Sequence, residues 1–403
     1  MEMTTLMNNT LKVGIVGCGL QAATIAGYLK VYGDKYEVVA VMDINPDFAK
    51  ARIAEKSVVI SGDCSFYTDL DEFISTEKDL NGIIIGTTCE LHTEIACKLE
   101  KMDVPIYMEK PVSINLDQIR QLYSTFKKSP VQVQVSLPMR LCPLTLEVRK
   151  IIDSGKIGNV EQIIGYEDTP GEVYFSTWFR NHEKTGGMFM QKAVHDIDYM
   201  LFLSGSRPAE VCAMRAQRVF GGDKPFDLSC DQCNEQEKCP ESPYSYFHER
   251  GTADSVESAM RYRYGRRMCR FSEGIKIDDM NECIIELENG AHIAHSQNFM
   301  VRNAASRRGA RIYGAKGTIE MDFSGKIKVM SHIREQVEEI QVQQGHLSHY
   351  GGDGELVFDF LKTMKTGQRS RTDLIEGDGI YSTLACLCAR ESADTRSFMK
   401  VRF

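Results

Sequence analysis

Two side chains in this sequence have the type and setting for proton chemistry. Lys110 follows the apolar run Val104 to Met108 by two residues and directly precedes Pro111. An ammonium at the mouth of a crevice can hydrogen-bond a hydroxyl and stabilise negative charge developing on its oxygen. His195 carries the side chain whose ordinary pKa lies near neutrality, which suits a general base. It falls in a helical stretch, so Gln191 and Lys192, four and three residues earlier, should share its face. Together these groups would serve the oxidation of a secondary alcohol. One group takes the hydroxyl proton while a separate acceptor takes the hydride.

An acceptor site is legible near the start of the chain. An apolar, β-branched run from Lys12 reaches Gly17, then Gly19, Leu20, Gln21 and Ala22. Gly17 suits a turn that side chains would obstruct, and Gly19 lets the backbone approach a pyrophosphate. A helix starting near Leu20 would turn its positive end toward the phosphates. A second apolar run, Tyr36 to Met42, ends in Asp43. A carboxylate there can accept bonds from the adenosine ribose and repel a 2′-phosphate, so NAD is expected rather than NADP.

Alternating elements must hold these residues. Asn45 and Pro46 open a helix, and Ser57 to Ile60 reads as a short strand. Helices at Asp69–Ser75, Glu90–Met102 and Asn115–Lys128 alternate with strands at Gly82–Gly86, Val104–Met108 and Val131–Ser136. That alternation gives a parallel sheet covered on both faces, with ligands bound beyond the carboxyl ends of the strands. Gly17, Asp43, Thr87, Thr88, Glu109, Lys110 and Arg140 lie at those ends. Thr87, Thr88, His92 and Glu109 are therefore cofactor-side candidates. Arg140, and the lone tryptophan Trp178 through its flat ring, are substrate-side candidates.

The pattern changes after residue 136. A helix from Pro143 ends at Gly155, and Gly186-Gly187 precedes another running to about Ser204. Longer strands follow, with a hairpin signal at Asn289-Gly290 and helices at Glu355–Thr366 and Leu374–Arg390. The expected fold class is α/β: a Rossmann domain over 1–136, then an α+β domain over 137–403 with an open antiparallel sheet. A polar, Cys-containing insertion occupies about 221–273.

Net charge is −8, which argues against a nucleic-acid partner. No apolar run approaches the ~20 residues of a membrane span. Residues 1–10 lack the basic and apolar regions of a signal peptide. Most of the 13 cysteines, such as Cys18, Cys89, Cys97 and Cys386, stand singly in strands or helices. Buried thiols suit a reducing, cytoplasmic setting.

Gly17-x-Gly19-x-x-Ala22, Asp43, Glu109-Lys110-Pro111, His195 after Gly186-Gly187, and Gly314-x-x-Gly317-Thr318 occur in one order along the chain. In this the sequence resembles the glucose–fructose oxidoreductase, inositol dehydrogenase and rhizopine-catabolism family (Gfo/Idh/MocA). The resemblance implies a nicotinamide cofactor, a sugar, polyol or glycoside substrate, and a homo-oligomer, dimer or tetramer, built through the open sheet. It also implies a cis Lys110–Pro111 peptide. Many members carry Asp where this chain has Gln191, so Lys192 is the expected substrate contact or source of charge. Asp198 matches a structural acidic position. His349 opens a His-x-Gly-Gly-Asp stretch similar to one near the substrate pocket of some members, with Asp353 an alternative helix N-cap. Besides net dehydrogenation, the same residues would suit a glycosidase that oxidises its substrate transiently. A non-catalytic NAD-binding sensor is a third reading.

The insertion adds a candidate metal site. Cys230 and Cys233 form a C-x₂-C pair, followed by Cys239 and Cys269. Four thiolates suit a structural, tetrahedral zinc, with His248 an alternative to Cys269.

Overall fold

The computed structural model describes residues 10–33, 35–242 and 267–403. Its first sheet has six strands: β1 Leu11–Val16, β2 Tyr36–Met42, β3 Ile60–Tyr67, β4 Gly82–Ile85, β5 Ile106–Met108 and β6 Val133–Val135. All are parallel, in the order β3-β2-β1-β4-β5-β6. Central strands such as β4 are buried on both faces, which is why they read as continuous apolar runs. The helix Pro46–Glu55 begins as the sequence indicated. Asn45 Oδ1 accepts from the Phe48 amide at 3.1 Å, and Pro46 fills the first turn.

The strand expected at Ser57–Ile60 instead starts at Ile60 and runs to Tyr67. It is the edge of the sheet and only its last residue is buried, so no apolar run marks it. The final helix is displaced from the expected Leu374–Arg390 to Gly379–Thr395.

The second sheet has nine strands: β7 Val160–Asp168, β8 Pro208–Ala216, β9 Met280–Leu287, β10 His292–Asn298, β11 Arg307–Gly314, β12 Gly317–Asp322, β13 Lys326–Ser331, β14 Val337–Gln341 and β15 Met399–Lys400. Gly290, at φ 85°, makes the β9–β10 hairpin turn where Asn289-Gly290 signalled it. The sheet is mixed rather than purely antiparallel, because β7 and β10 run parallel. These strands lie far apart in sequence, so no hairpin turn sets their direction. The helices Val194–Ser204 and Gly379–Thr395 pack on one face of this sheet. The other face carries exposed Ile164, Ile284 and Met214.

Late in the chain, the helix Gly352–Thr366 returns to the first sheet. Leu356, Val357, Phe360 and Leu361 share one core with Val13, Ile15 and Ala22. A Cβ at Gly82 would meet Met364 Sδ at 2.7 Å and Phe360 at 2.9 Å, so this close approach needs glycine. The start of that helix is thereby fixed beside the strand ends.

Candidate active site

The Gly17 loop has the form a dinucleotide needs. Gly17 has φ 77°, and a Cβ there would run into Thr87. The helix Leu20–Tyr28 opens with Gly19 at its N-cap and no capping side chain, so the amides of Leu20 and Gln21 keep no helical partner. Asp43 Oδ2 accepts from the Cys18 amide at 2.9 Å and Oδ1 from the Asn45 amide at 2.8 Å. These bonds fix the carboxylate at the end of β2, and each oxygen retains a second acceptor position for a ribose hydroxyl. The uncapped amides, the close approach and the carboxylate fit an NAD adenosine diphosphate.

The expected cis peptide is present at Lys110–Pro111. Lys110 Nζ donates to the carbonyl oxygen of Gln191 at 2.7 Å. Burial pushes the Lys110 ammonium down to about 8. Glu109 beside it is pushed up to about 8, first by burial and then by the charge of Asp353.

Gln191 and Lys192 lie in a π-helical turn, Phe189–Ala193, which leads directly into the helix Val194–Ser204 that carries His195. The Gln191 side-chain amide is taken up by protein partners. It donates to Cys89 Sγ at 3.3 Å and to the Thr185 carbonyl at 2.9 Å, so Gln191 meets Lys110 through its backbone. Lys192 Nζ lies 2.6 Å from Glu167 Oε1. Burial opposes its charge most strongly, but Glu167, Tyr174 and Asp196 together hold Lys192 above the ordinary lysine range. Burial alone would raise Glu167; Arg308 and Lys192 together bring it down to about 2. Arg308 also forks onto both oxygens of Asp196, at 2.8 and 2.7 Å.

His195 is 4% exposed, and its Nδ1 has no hydrogen-bond partner among the described residues. Burial, then the nearby cations, drive its pKa well below the usual histidine value. The His349 ring lies 5.3 Å away, centroid to centroid. His349 Nδ1 is 2.9 Å from Asp353 Oδ1. Asp353 is not the helix N-cap: Gly351 occupies that place, and the carboxylate pairs with His349 instead.

Two expected site residues, Arg140 and His92, are placed differently. Arg140 is buried with its guanidinium on both oxygens of Asp198, Nε at 2.8 Å, and donates to the carbonyls of Arg371 and Gly377. It therefore ties the helix Val194–Ser204 to the C-terminal segment and has no donor directed at a substrate. Asp198 is structural, as expected. His92 is 1% exposed, with its ring nitrogens facing the carbonyls of Pro111 at 2.8 Å and Thr87 at 3.1 Å. It clips the two strand-end loops together rather than presenting an edge to the nicotinamide. Trp178 stacks on Phe179, centroids 4.3 Å apart, and stays partly exposed. Thr88 Oγ1 is bound to Glu90 at 2.9 Å.

Sequence reasoning missed Glu167, Arg308 and Asp196. Glu167 stands near the end of a strand where the alternation calls for an apolar residue, and that was the available signal.

The zinc expectation is not supported. Cys230, Cys233, Cys239 and Cys269 border one small cavity. Among the described residues, however, no three His, Cys, Asp or Glu side chains are grouped so as to hold one ion. His248 lies outside the described residues. All thirteen cysteines are free. No described helix is long and apolar enough to cross a membrane.

Comparison with known proteins bears on the whole arrangement. Residues 11–137 match the model described as "Oxidoreductase family, NAD-binding Rossmann fold", and residues 145–320 match the GFO/IDH/MocA C-terminal domain. The chain is 26% identical to the putative oxidoreductase YteT of Bacillus subtilis (strain 168), over 91% of this chain and 93% of that one. It is 25% identical to inositol 2-dehydrogenase of Rhizobium meliloti (strain 1021), over 51% of this chain and 59% of that one. A solved levoglucosan dehydrogenase, in complex with NADH and L-sorbose, superposes with a TM-score of 0.74. The match covers 98% of this chain and 99% of that one; at 18% identity it speaks for the fold. With both domains matched in order, the chain belongs to the GFO/IDH/MocA family of oxidoreductases and carries its NAD-binding Rossmann domain.

Proposed function

We propose that this chain is an NAD-dependent dehydrogenase that oxidises a secondary hydroxyl of a sugar, polyol or glycoside. The observation that carries the reading is the bond from Lys110 Nζ to the Gln191 carbonyl. It brings the strand-end lysine to the turn that leads into His195. Inositol 2-dehydrogenase among the relatives supports the substrate class.

Bound NAD would supply the hydride acceptor, held by the Gly17–Gln21 backbone and Asp43. Lys110 donates to the reacting oxygen and stabilises the charge that builds there as its proton leaves. His195, neutral at physiological pH, receives that proton. Lys192 is pinned by Glu167 and offers its remaining donors to neighbouring hydroxyls. Partly exposed Trp178 offers an apolar face to a sugar ring. Asp43 with Ile44 and Asn45 after it, and no arginine there, favours NAD over NADP.

The exposed Ile164, Ile284 and Met214 on the free face of the second sheet support assembly into a homo-oligomer through that face. Thirteen unpaired thiols favour a cytoplasmic setting.

A screen of sugars, inositols and glycosides for NADH fluorescence tests the reading. Net NADH from a free sugar or inositol is expected. Release of an aglycone without net NADH would instead establish transient oxidation, and NAD binding with neither outcome would leave a sensor.

A further inference from the structure

We infer that His349, held by Asp353, is the proton exit of the site: the proton taken up by His195 passes to the His349 imidazole and from there to solvent. The inference rests on the dehydrogenase reading of the crevice and assigns a path within it.

His195 is well placed to accept a proton and poorly placed to keep one. Its ring is 4% exposed, Nδ1 has no described partner, and no described carboxylate bonds it. The charged groups facing it are cations: Lys110 beyond β5, Lys192 from the π turn and Arg308 from β11, with the His349 ring from the loop before Gly352. An imidazolium there is opposed from several sides, so turnover requires a second acceptor beside it.

His349 has the complementary surroundings. Its side chain is 32% exposed, so it reaches solvent, and its Nδ1 is 2.9 Å from the fully buried carboxylate of Asp353. Asp353 lies in the first turn of the helix Gly352–Thr366, where the helix end favours negative charge. A carboxylate on one ring nitrogen fixes the tautomer, leaving the other nitrogen to exchange protons.

The backbone is shaped to put this ring where it is. His349, Tyr350 and Gly351 have φ of 51°, 58° and 94°, a run of left-handed residues of which two are not glycine. Such a run persists only where its surroundings hold it, and such strain collects at functional sites. Here the Gly351 amide donates to the Leu347 carbonyl at 2.9 Å, and Ser348 Oγ lies 3.2 Å from the Tyr28 hydroxyl on the first domain. The held run presents the His349 ring to His195, with ring centroids 5.3 Å apart.

The step balances. The substrate O–H bond breaks and an N–H bond forms on His195; the O–H pair becomes the second carbonyl bond as the C–H pair would leave, as hydride, to a bound nicotinamide. The proton passes on to His349, which releases it to solvent. No electrons move along this branch.

The test is chemical rescue on the NAD-loaded enzyme, with any sugar or inositol that yields NADH. His349→Ala should lower kcat about tenfold or more with KM within about threefold. Added imidazole should restore the rate in proportion to its concentration, while the wild type stays indifferent. Asp353→Asn should lose part of kcat and be rescued in the same way. A loss confined to KM, or a loss of kcat that imidazole does not relieve, would overturn the proposal. Absence of NADH with every sugar and inositol would count against the dehydrogenase reading itself. Histidine-selective ¹⁵N NMR of the NADH complex would then decide alone. A protonated Nδ1 at His349 that loses this preference in Asp353→Asn supports the pairing, and unchanged His349 resonances in that variant overturn it.

Discussion

Lys110 Nζ donates to the backbone carbonyl of Gln191 at 2.7 Å, while the Gln191 side-chain amide donates to Cys89 Sγ and the Thr185 carbonyl. The position-191 side chain thus bonds protein partners, and its peptide carbonyl is what meets Lys110. Gln191→Ala is accordingly expected to cost less activity than loss of Lys110 or His195, because it leaves the carbonyl in place. Steady-state kinetics on the three variants checks this. A Gln191→Ala loss as large as that of Lys110→Ala would show that the side chain acts in the reaction.

The rate should depend on pH on both sides of neutrality. Burial lowers Lys110 to about 8, so its ammonium is present below that value and is lost as pH rises through it. His195 is lowered well below its usual value, so it stays neutral through the physiological range and is protonated only in acid. A profile of kcat/KM should therefore rise out of acid and fall again near 8. Lys110→Arg, which keeps its charge far above that, should lose the alkaline fall even if it is slower. An alkaline limb unchanged in Lys110→Arg would assign it to another group.

Cofactor choice should follow Asp43. Asp43→Ala is expected to weaken NAD and narrow the preference over NADP, as calorimetric titration of both would read. Tighter binding of NADP by the wild type would contradict the role given to this carboxylate.

Arg140 should matter to stability and not to binding. Arg140→Ala leaves Asp198 buried without its guanidinium, a loss of about 3–5 kcal/mol for broken buried pairs. Denaturant unfolding should show a loss on that scale, with NAD affinity unchanged. Wild-type stability together with a collapse in kcat would return Arg140 to the reaction.

Much of this was legible in the sequence because it is local. The Gly17 turn, the buried run of β4, the Asn45 cap and the Asn289-Gly290 hairpin each follow from a few adjacent residues. What escaped is pairing across distance. β3 is an edge strand, so Ile60 to Tyr67 carries no apolar run to announce it. The parallel pairing of β7 with β10 joins strands more than a hundred residues apart. The same holds in the site: helical spacing placed His195, Gln191 and Lys192 on one face, but could not say that Arg140 would be taken by Asp198 or His92 by two carbonyls. Asp353 was visible as a helix-start residue; only the left-handed run at His349 and Tyr350 brings it to an imidazole instead.

The free face of the second sheet should be an interface. Charging it with Met214→Lys and Ile284→Lys is expected to dissociate the assembly into soluble monomers, measured by light scattering at micromolar concentration. A wild-type chain that is already monomeric there would contradict the assembly.

The central claim is that Lys110 and His195 act together on a substrate hydroxyl, and turnover in their alanine variants tests it most directly. With a sugar or inositol that gives NADH, Lys110→Ala and His195→Ala should each lower kcat by roughly 10²-fold or more, the scale of acid–base groups, while calorimetry finds NAD bound almost as tightly as before. Turnover within a few-fold of wild type in either variant would contradict the claim and remove that residue from the chemistry.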